Sequence, residues 1–451
     1  MKSMSQITDK PYVDYEKARQ IKNPKYLCHA PFANMYLNSQ GNIGACWLTL
    51  ERAPRYPELS LREIWFGEYF ERLRSNIKSK NLKELCSVCD KKIHDGVYST
   101  ILARAYDIDF ELQKYPSIME FELSNLCNLA CVMCKGSLSS KIRKDREQLP
   151  ALKSPYDEKF VMELEEFLPH LQEARFNGGE PFLQQICWQI WEKIADVNPK
   201  ILITVATNGT ILTDKMKSIM ERCRFRVNVS IDSLDAETYA SIRVNSNLEQ
   251  VVNNLGFYSD YCDRKETILS VLVNPMRMNW REMPRYVRWC TDRKAHFWMN
   301  TVWRPRHLAL WTLPSKQLEM IKKTLETDTV FHERHKDQEL FDINLGVLRD
   351  FVNQQLDGWI RDQKLRETQG LDYSSLISKQ KGSAERFRQR EVYRQRPEIF
   401  DRLQERTSKV FSSETMYYFL DQQSDQKLRD YLFDRDFDSA TEWIYHICDY
   451  Y

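Results

Sequence analysis

From about Ser117 onward, short β-branched or apolar runs alternate six times with amphipathic stretches long enough to be helices. That switching between strand and helix periodicity is the signature of parallel strands joined by crossover helices, and it constrains the fold more than any other feature of the chain. The spacing predicts strands at 118–124, 174–177, 201–207, 226–230, 267–273 and 296–301. Helical patterns lie between them, among them EKFVMELEEFLPHL, ICWQIWEKIADV, TDKMKSIMERC, NLEQVVNNLGFYSDYC and WREMPRYVRWCTDR. Six units are too few to close as an eight-stranded barrel, so the expectation is an α/β fold with an open or partial (β/α)6 barrel over residues 116–314.

The flanks read differently. Before Ser117, YLCHAPFANMYLNSQGNIGACW predicts a hairpin turning at Ser39 to Asn42, and LREIWFGEYFERLRSNIKS predicts one amphipathic helix. Residues 1–115 are therefore expected to form a separate small α+β domain. After Pro314 the chain becomes charged and helix-patterned, ending in an aromatic-rich segment, so 315–451 is expected to be a helical C-terminal region. The arginine-rich run AERFRQREVYRQRPEIFDRLQER reads as a solvated helix face. No repeat period or low-complexity stretch is present.

A length of 451 residues accommodates two or three such domains. With 66 Lys plus Arg against 64 Asp plus Glu, the chain has no strong excess of positive charge for a counterion-releasing footprint on nucleic acid or for an acidic membrane surface. No apolar run approaches the roughly 20 residues that span a bilayer. The start, MKSMSQITDKPYVDYEKARQ, lacks an apolar export segment, so a cytoplasmic location is expected.

In a reducing compartment twelve cysteines point to metal ligation or redox chemistry rather than disulfides. Cys127, Cys131 and Cys134 in SNLCNLACVMC follow the first strand on one loop. Three thiolates cannot complete the four ligands of a 4Fe-4S cube, so one iron would stay open to a non-protein ligand. Zinc on that loop would need a partner CxxC pair, and none follows. Cys28, Cys46, Cys86 and Cys89 form a looser set of four, which would fully ligate a second cluster or, as the competing reading, a structural zinc ion. Cys187, Cys223, Cys262, Cys290 and Cys448 are scattered and read as packing residues. The unusual polar motifs fall at predicted strand ends, where parallel βα folds assemble active sites. They are NGGEP (Asn177 to Pro181), Thr207-Asn208-Gly209, Ser230 and Asp232 in VSIDS, and Arg243 in TYASIR.

The cysteine triplet and this ordered series resemble the radical S-adenosylmethionine (radical SAM) superfamily, over residues of about 26 to 305. The resemblance implies a partial, TIM-like barrel of the radical SAM type. It also implies that S-adenosylmethionine binds beside a 4Fe-4S cluster on Cys127, Cys131 and Cys134. Gly178, Gly179, Glu180 and Pro181 would lie along the methionyl amino group, with Glu180 accepting from the ammonium. Thr207, Asn208 and Asp232 belong to the same strand-end set. Ser230 and Arg243 would meet the ribose and carboxylate region, and Met133 and Val273 the adenine side. The N-terminal cysteines resemble the twitch form of a SPASM domain, which implies an auxiliary 4Fe-4S cluster on Cys28, Cys46, Cys86 and Cys89. The chain departs from that pattern in placing the domain before the barrel, and in carrying His94 and Asp95 where a second auxiliary cluster would need cysteines.

By resemblance the chain is an enzyme that cleaves S-adenosylmethionine reductively and abstracts hydrogen from a substrate, fed by an electron donor such as flavodoxin or ferredoxin. A peptide is the expected substrate, crosslinked or oxidised. Peptide epimerisation or a small-molecule substrate are the alternatives, an iron-sulfur electron carrier is the non-enzyme alternative, and nucleic acid is disfavoured by charge. Epimerisation needs a hydrogen donor, and between Cys290 and Cys448 the chain has no cysteine. Arg304, with Arg306 and the apolar Trp303 and Trp311, is placed to hold a substrate carboxylate or peptide backbone, or else to cap the barrel.

Overall fold

The computed structural model describes residues 10–19, 21, 24–96, 98, 101–107 and 112–450, with the side chains of 449 and 450 excepted. The first residues of the segment read as lacking an export signal lie outside the described residues. The strands are β1 (Asn34–Leu37), β2 (Ile43–Gly44), β3 (Ile118–Phe121), β4 (Glu173–Phe176), β5 (Leu202–Thr207), β6 (Arg224–Ser230), β7 (Leu269–Val273) and β8 (His296–Met299). They form a sheet in the order β2-β1-β3-β4-β5-β6-β7-β8. All six expected strands of the α/β repeat are present, with shifted ends. The stretch predicted at 118–124 stops at Phe121, because the residues beyond it leave the ladder to build the cysteine loop.

Two expectations are refined. The N-terminal hairpin is there, with Gly41 in a left-handed turn conformation, and its first strand also joins the larger sheet rather than standing alone. β1 pairs in parallel with β3, placing Asn34 opposite Ile118 and Leu37 opposite Phe121. The cause is visible in β1 itself: all four residues are buried, and a two-stranded hairpin alone cannot cover them. The expected single helix at LREIWFGEYFERLRSNIKS is two helices, Leu61–Phe66 and Glu68–Lys78. Gly67 between them is extended, at φ −85° and ψ 176°.

The chain divides into two compact units, one of residues 1–126, 153–230 and 249–270, the other of 127–152, 231–248 and 271–451. The expected boundaries at 115/116 and 314/315 both fall inside a unit. In the first, β1–β3 pairing carries the chain across the boundary. In the second, helix Gln338–Asp350 joins β8 through Asn344, whose Oδ1 accepts from the Phe297 amide at 2.7 Å.

In the first unit, residues of β5 and β6 alternate between buried and half-buried, apart from the exposed Arg224 that opens β6. The buried face carries Phe225, and β4 supplies Phe176. Both pack edge-on against Trp191 of helix Gln185–Val197, with ring centroids 5.6 and 5.3 Å away. The opposite face carries a row in register: Glu120 beside Arg175, Arg175 beside Thr204, Thr204 beside Arg226.

In the second unit the helices from Ser383–Arg388 to Phe437–Tyr450 enclose an apolar core of their own around Phe387, Phe400, Tyr417 and Ile444. Cys187, Cys223, Cys262 and Cys290 are buried, and Cys448 packs on the C-terminal core, as packing residues should. Among the described residues no helix is long and apolar enough to cross a membrane.

Candidate functional site

The cysteine loop belongs to the second unit and is tied down by hydrogen bonds within the chain. Its backbone is pinned to Ile242 and Val244, whose carbonyls accept from Val132 and Ala130 at 2.9 and 3.0 Å. Ser139 caps helix Ser140–Asp145 and also donates to the Leu129 carbonyl at 2.6 Å, while the Ser140 hydroxyl bridges the Cys127 backbone. Arg146 donates to the Cys134 carbonyl. Burial pushes the Cys134 thiol up to about 12, reinforced by Cys131 and Cys127. Burial also raises Cys131, although Arg243 opposes it.

Asp232 and Arg243, expected at the cofactor, form a buried ion pair beside that loop. Arg243 Nε lies 2.6 Å from Asp232 Oδ2, and an Arg243 terminal nitrogen lies 4.0 Å from Cys131 Sγ. Asp232 Oδ1 accepts from the amide and side chain of Asn274 at 2.7 and 2.9 Å. Burial works against the Arg243 charge, but Asp232 and Cys131 outweigh it and its pKa is raised. Asn274 ends the stretch Leu272 to Asn274, which by resemblance lies on the adenine side, whereas Asn279, which donates to the Asp232 carbonyl at 2.6 Å, was not singled out from sequence. An asparagine in a loop beyond a strand gives no pattern that marks it.

Met133 packs with Ile242, Met276, Val302 and Ala309 in a small apolar cluster that also takes in Trp311. The Val273 side chain is fully buried, and strand alternation puts Leu272 on the half-buried face of β7. Arg304 lies half-buried in the loop after β8, next to Trp303, which is 50% exposed. The Trp303 and Trp311 rings are 6.0 Å apart, and Arg306 sits over Trp311.

The first unit holds the NGGEP and TNG motifs. Gly178 and Gly179 have φ of +74° and +55°, and a Cβ on Gly179 would stand 2.4 Å from the Leu126 carbonyl oxygen. Only glycine allows that approach, which lets the Glu180 amide donate to the same oxygen at 2.7 Å. Glu180 is held by the chain itself. It has no exposed area, and its carboxylate accepts from the Thr207 hydroxyl at 2.8 Å, the Asn208 amide at 2.7 Å and the Phe182 amide at 3.3 Å. It ties two strand-end loops together. Pro181 is buried beside it, and Ser230 ends β6 half-buried.

The same unit gathers Cys28, Cys46, Cys86 and Cys89 around a cavity of ≈ 50 Å³, walled by Leu27, Ile77 and Tyr106 among others. Burial raises every one of these thiols, Cys46 and Cys86 to about 12, and Cys28 is raised further by its three neighbours. Four half-buried thiols whose pKa values burial raises, with Lys92 opposing that rise at Cys89, are a donor set that a thiophilic metal centre would complete. Among the described residues no three Cys, His, Asp or Glu side chains converge tightly enough to grip a single ion. A 4Fe-4S cube takes each thiolate on a different iron, so its ligands need not meet at one point.

Residues 121–290 match the Radical SAM superfamily, and residues 28–90 match SPASM, an iron-sulfur cluster-binding domain. The chain carries a radical SAM domain and an iron-sulfur cluster-binding domain. Its auxiliary iron-sulfur domain is N-terminal, and the two matched ranges contain both cysteine sets. This radical SAM chain is 27% identical over 176 residues to a probable GTP 3′,8-cyclase of Methanocaldococcus jannaschii, covering 39% of this chain and 55% of that protein. It is 26% identical over 178 residues to the GTP 3′,8-cyclase of Lactiplantibacillus plantarum, covering 38% and 49%. The chain thus spans about half the length of the curated relatives it matches. Among solved structures, Streptococcus suis SuiB bound to S-adenosylmethionine is similar at 12% identity over 60% of each chain, with a TM-score of 0.37.

Proposed function

We propose that this radical SAM protein oxidises a peptide substrate, and that Cys127, Cys131 and Cys134 hold the cluster that binds S-adenosylmethionine. The observation that carries the reading is the cysteine loop: three thiols pre-held by Ile242, Val244, Ser139 and Ser140, with the Arg243 guanidinium already at Cys131. When bound, the reduced cluster and S-adenosylmethionine supply a 5′-deoxyadenosyl radical that abstracts hydrogen.

The chain's own residues do the rest. Asp232 orients Arg243 and keeps it charged, which suits the guanidinium to a thiolate or carboxylate. Glu180 acts as a positioning residue that fixes the Thr207-Asn208 turn relative to Gly178 and Gly179. The four-thiol cavity leaves no ligand place for a substrate, which supports outer-sphere electron transfer and a net oxidation. Burial of Cys290 and the packing of Cys448 in an apolar core leave neither thiol presented as a hydrogen donor, which weighs against epimerisation. The pair of tryptophans with Arg304 and Arg306 suits a peptide better than a compact anion, because it offers a broad apolar wall beside its cations.

Anaerobic reconstitution tests the first part. The wild type should bind about eight irons and release 5′-deoxyadenosine with dithionite, and a Cys127→Ala, Cys131→Ala, Cys134→Ala variant should bind about four and release none. Zinc in place of iron, or a loaded wild type that releases none, overturns the reading. The substrate is tested by supplying either peptides deuterated at carbon or GTP. Deuterium passing from peptide to 5′-deoxyadenosine supports the proposal, and turnover with GTP alone replaces it with a nucleotide substrate.

A further inference from the structure

The polar row on the open face of the first unit's sheet begins at Glu120 of β3, a carboxylate only 8% exposed. Its Oε1 accepts from the Tyr106 hydroxyl at 2.6 Å and from Asn34 Nδ2 at 2.8 Å. Both partners lead to the auxiliary cysteines. Tyr106 is a wall of the four-thiol cavity, and Asn34 Nδ2 also donates to the carbonyl of Ala45, the residue before Cys46, at 2.9 Å. A single hydrogen bond therefore separates a buried carboxylate from the cavity wall.

A buried carboxylate with a purely structural role is ordinarily neutralised by a cation. The cross-strand neighbour of Glu120 is Arg175, yet Arg175 directs its donors elsewhere, to Glu173 at 2.9 Å and to the Ala105 carbonyl at 3.3 Å, with its guanidinium over the Tyr106 ring. Tyr36, opposite Glu120 on β1, gives its hydroxyl to Glu122 at 2.8 Å. Glu173 adds negative charge from β4. Burial holds the Glu120 carboxyl above the usual carboxylate range, with Arg175, Tyr106 and Asn34 opposing. A further negative charge close by would favour its protonated form.

The proposed oxidation supplies that charge. A substrate that has lost one hydrogen atom must still lose one electron and one proton to reach a closed-shell product. The four-thiol cavity is the place for the electron, and it is lined mostly by apolar side chains that solvate a new charge poorly. We propose that Glu120 takes up one proton with each electron that arrives at the auxiliary cluster, Tyr106 being the hydrogen-bonded link between them. The substrate radical would pass one electron to the cluster and its proton to solvent, while the Glu120 carboxylate would take one proton from solvent and become a carboxylic acid. Electron and proton leave when a one-electron redox partner reoxidises the cluster and the acid ionises. Glu120 is a positioning residue in this scheme, acting on the cluster through Tyr106. The inference rests on the reading that the four N-terminal cysteines hold an iron-sulfur cluster.

The test is a redox titration of the auxiliary cluster at several pH values, followed by electron paramagnetic resonance. It uses full-length protein carrying Cys127→Ala, Cys131→Ala and Cys134→Ala, so that only this cluster contributes. The midpoint potential should fall with rising pH by up to about 59 mV per unit, the one-electron, one-proton limit. Adding Glu120→Gln, which keeps the shape and an acceptor for Tyr106, should abolish the slope at unchanged iron content. Glu120→Asp should retain part of it, and Tyr106→Phe should weaken it. A pH-independent potential in the parent, or the parent's slope persisting in Glu120→Gln, overturns the proposal while leaving the cluster assignment intact. Protein with zinc and no paramagnetic signal overturns both.

Discussion

A carboxylate with no exposed area and three chain donors, as Glu180 is, cannot be removed without orphaning those donors. Glu180→Ala should therefore cost about 1–3 kcal/mol for each of the Thr207 hydroxyl and the Asn208 amide that stays buried and unpaired. Urea denaturation of the cluster-free protein would measure it, which separates the effect from cofactor binding. Gly179→Ala meets a different obstacle, since the new Cβ would approach the Leu126 carbonyl to 2.4 Å at a φ of +55°. The loop must shift, the Glu180 amide loses its 2.7 Å acceptor, and about 1–3 kcal/mol of strain is stored. Calorimetry with S-adenosylmethionine should find weakened binding in a variant that still assembles both clusters. An Arg243→Ala change leaves Asp232 buried with its charge unpaired, a loss on the order of 3–5 kcal/mol. Arg243→Lys should recover part of that stability without restoring the planar fork.

Short elements depend on their ends more than on their length, and helix Leu61–Phe66 shows how. Ser60 accepts from the Glu63 amide, and the Glu63 carboxylate accepts from the Ser60 amide and hydroxyl at 2.8 and 2.7 Å, a complete capping box. Ser60→Ala should cost about 1 kcal/mol by thermal unfolding. These bonds hold the Glu63 pKa below its ordinary value. The sign follows: a depressed acid contributes stability that is present above its unfolded pKa of about 4.3 and disappears as pH falls through the folded value. The gap between wild type and Ser60→Ala should therefore narrow below about pH 4. Elements of this kind also mark how much the sequence made legible. The six strands of the α/β repeat and the cysteine loop could be read because periodicity and ligand spacing are local properties. The Gly67 break could not, since a glycine inside a helical pattern is compatible with either one helix or two. Nor could the pairing of β1 with β3, which depends on partners more than eighty residues apart and leaves no mark in local pattern. Glu120 and Tyr106 were invisible for the same reason, an acid in a strand and a tyrosine in a turn whose meeting is made only by the fold.

At the scale of the whole molecule, two apolar cores of different composition hold different parts of the chain. One, in the first unit, packs Tyr15, Leu27, Ile77 and Ile93 against Cys28, Cys86 and Cys89, with the cavity among its thiols. The other, in the second unit, is built on Phe387, Phe400, Tyr417 and Ile444, with Cys448 only at its edge. The first core encloses a site that a metal centre completes, so removing the metal removes part of its folding energy. The second has no such dependence. A chelator should then raise amide hydrogen exchange in residues 28–106 and leave 384–447 unchanged. Phe400→Ala, a fully buried ring whose loss costs about 3–5 kcal/mol, should do the reverse. The pair of measurements decides between two local stabilities and one cooperative unit, because in a single cooperative unit either perturbation would raise exchange in both segments together.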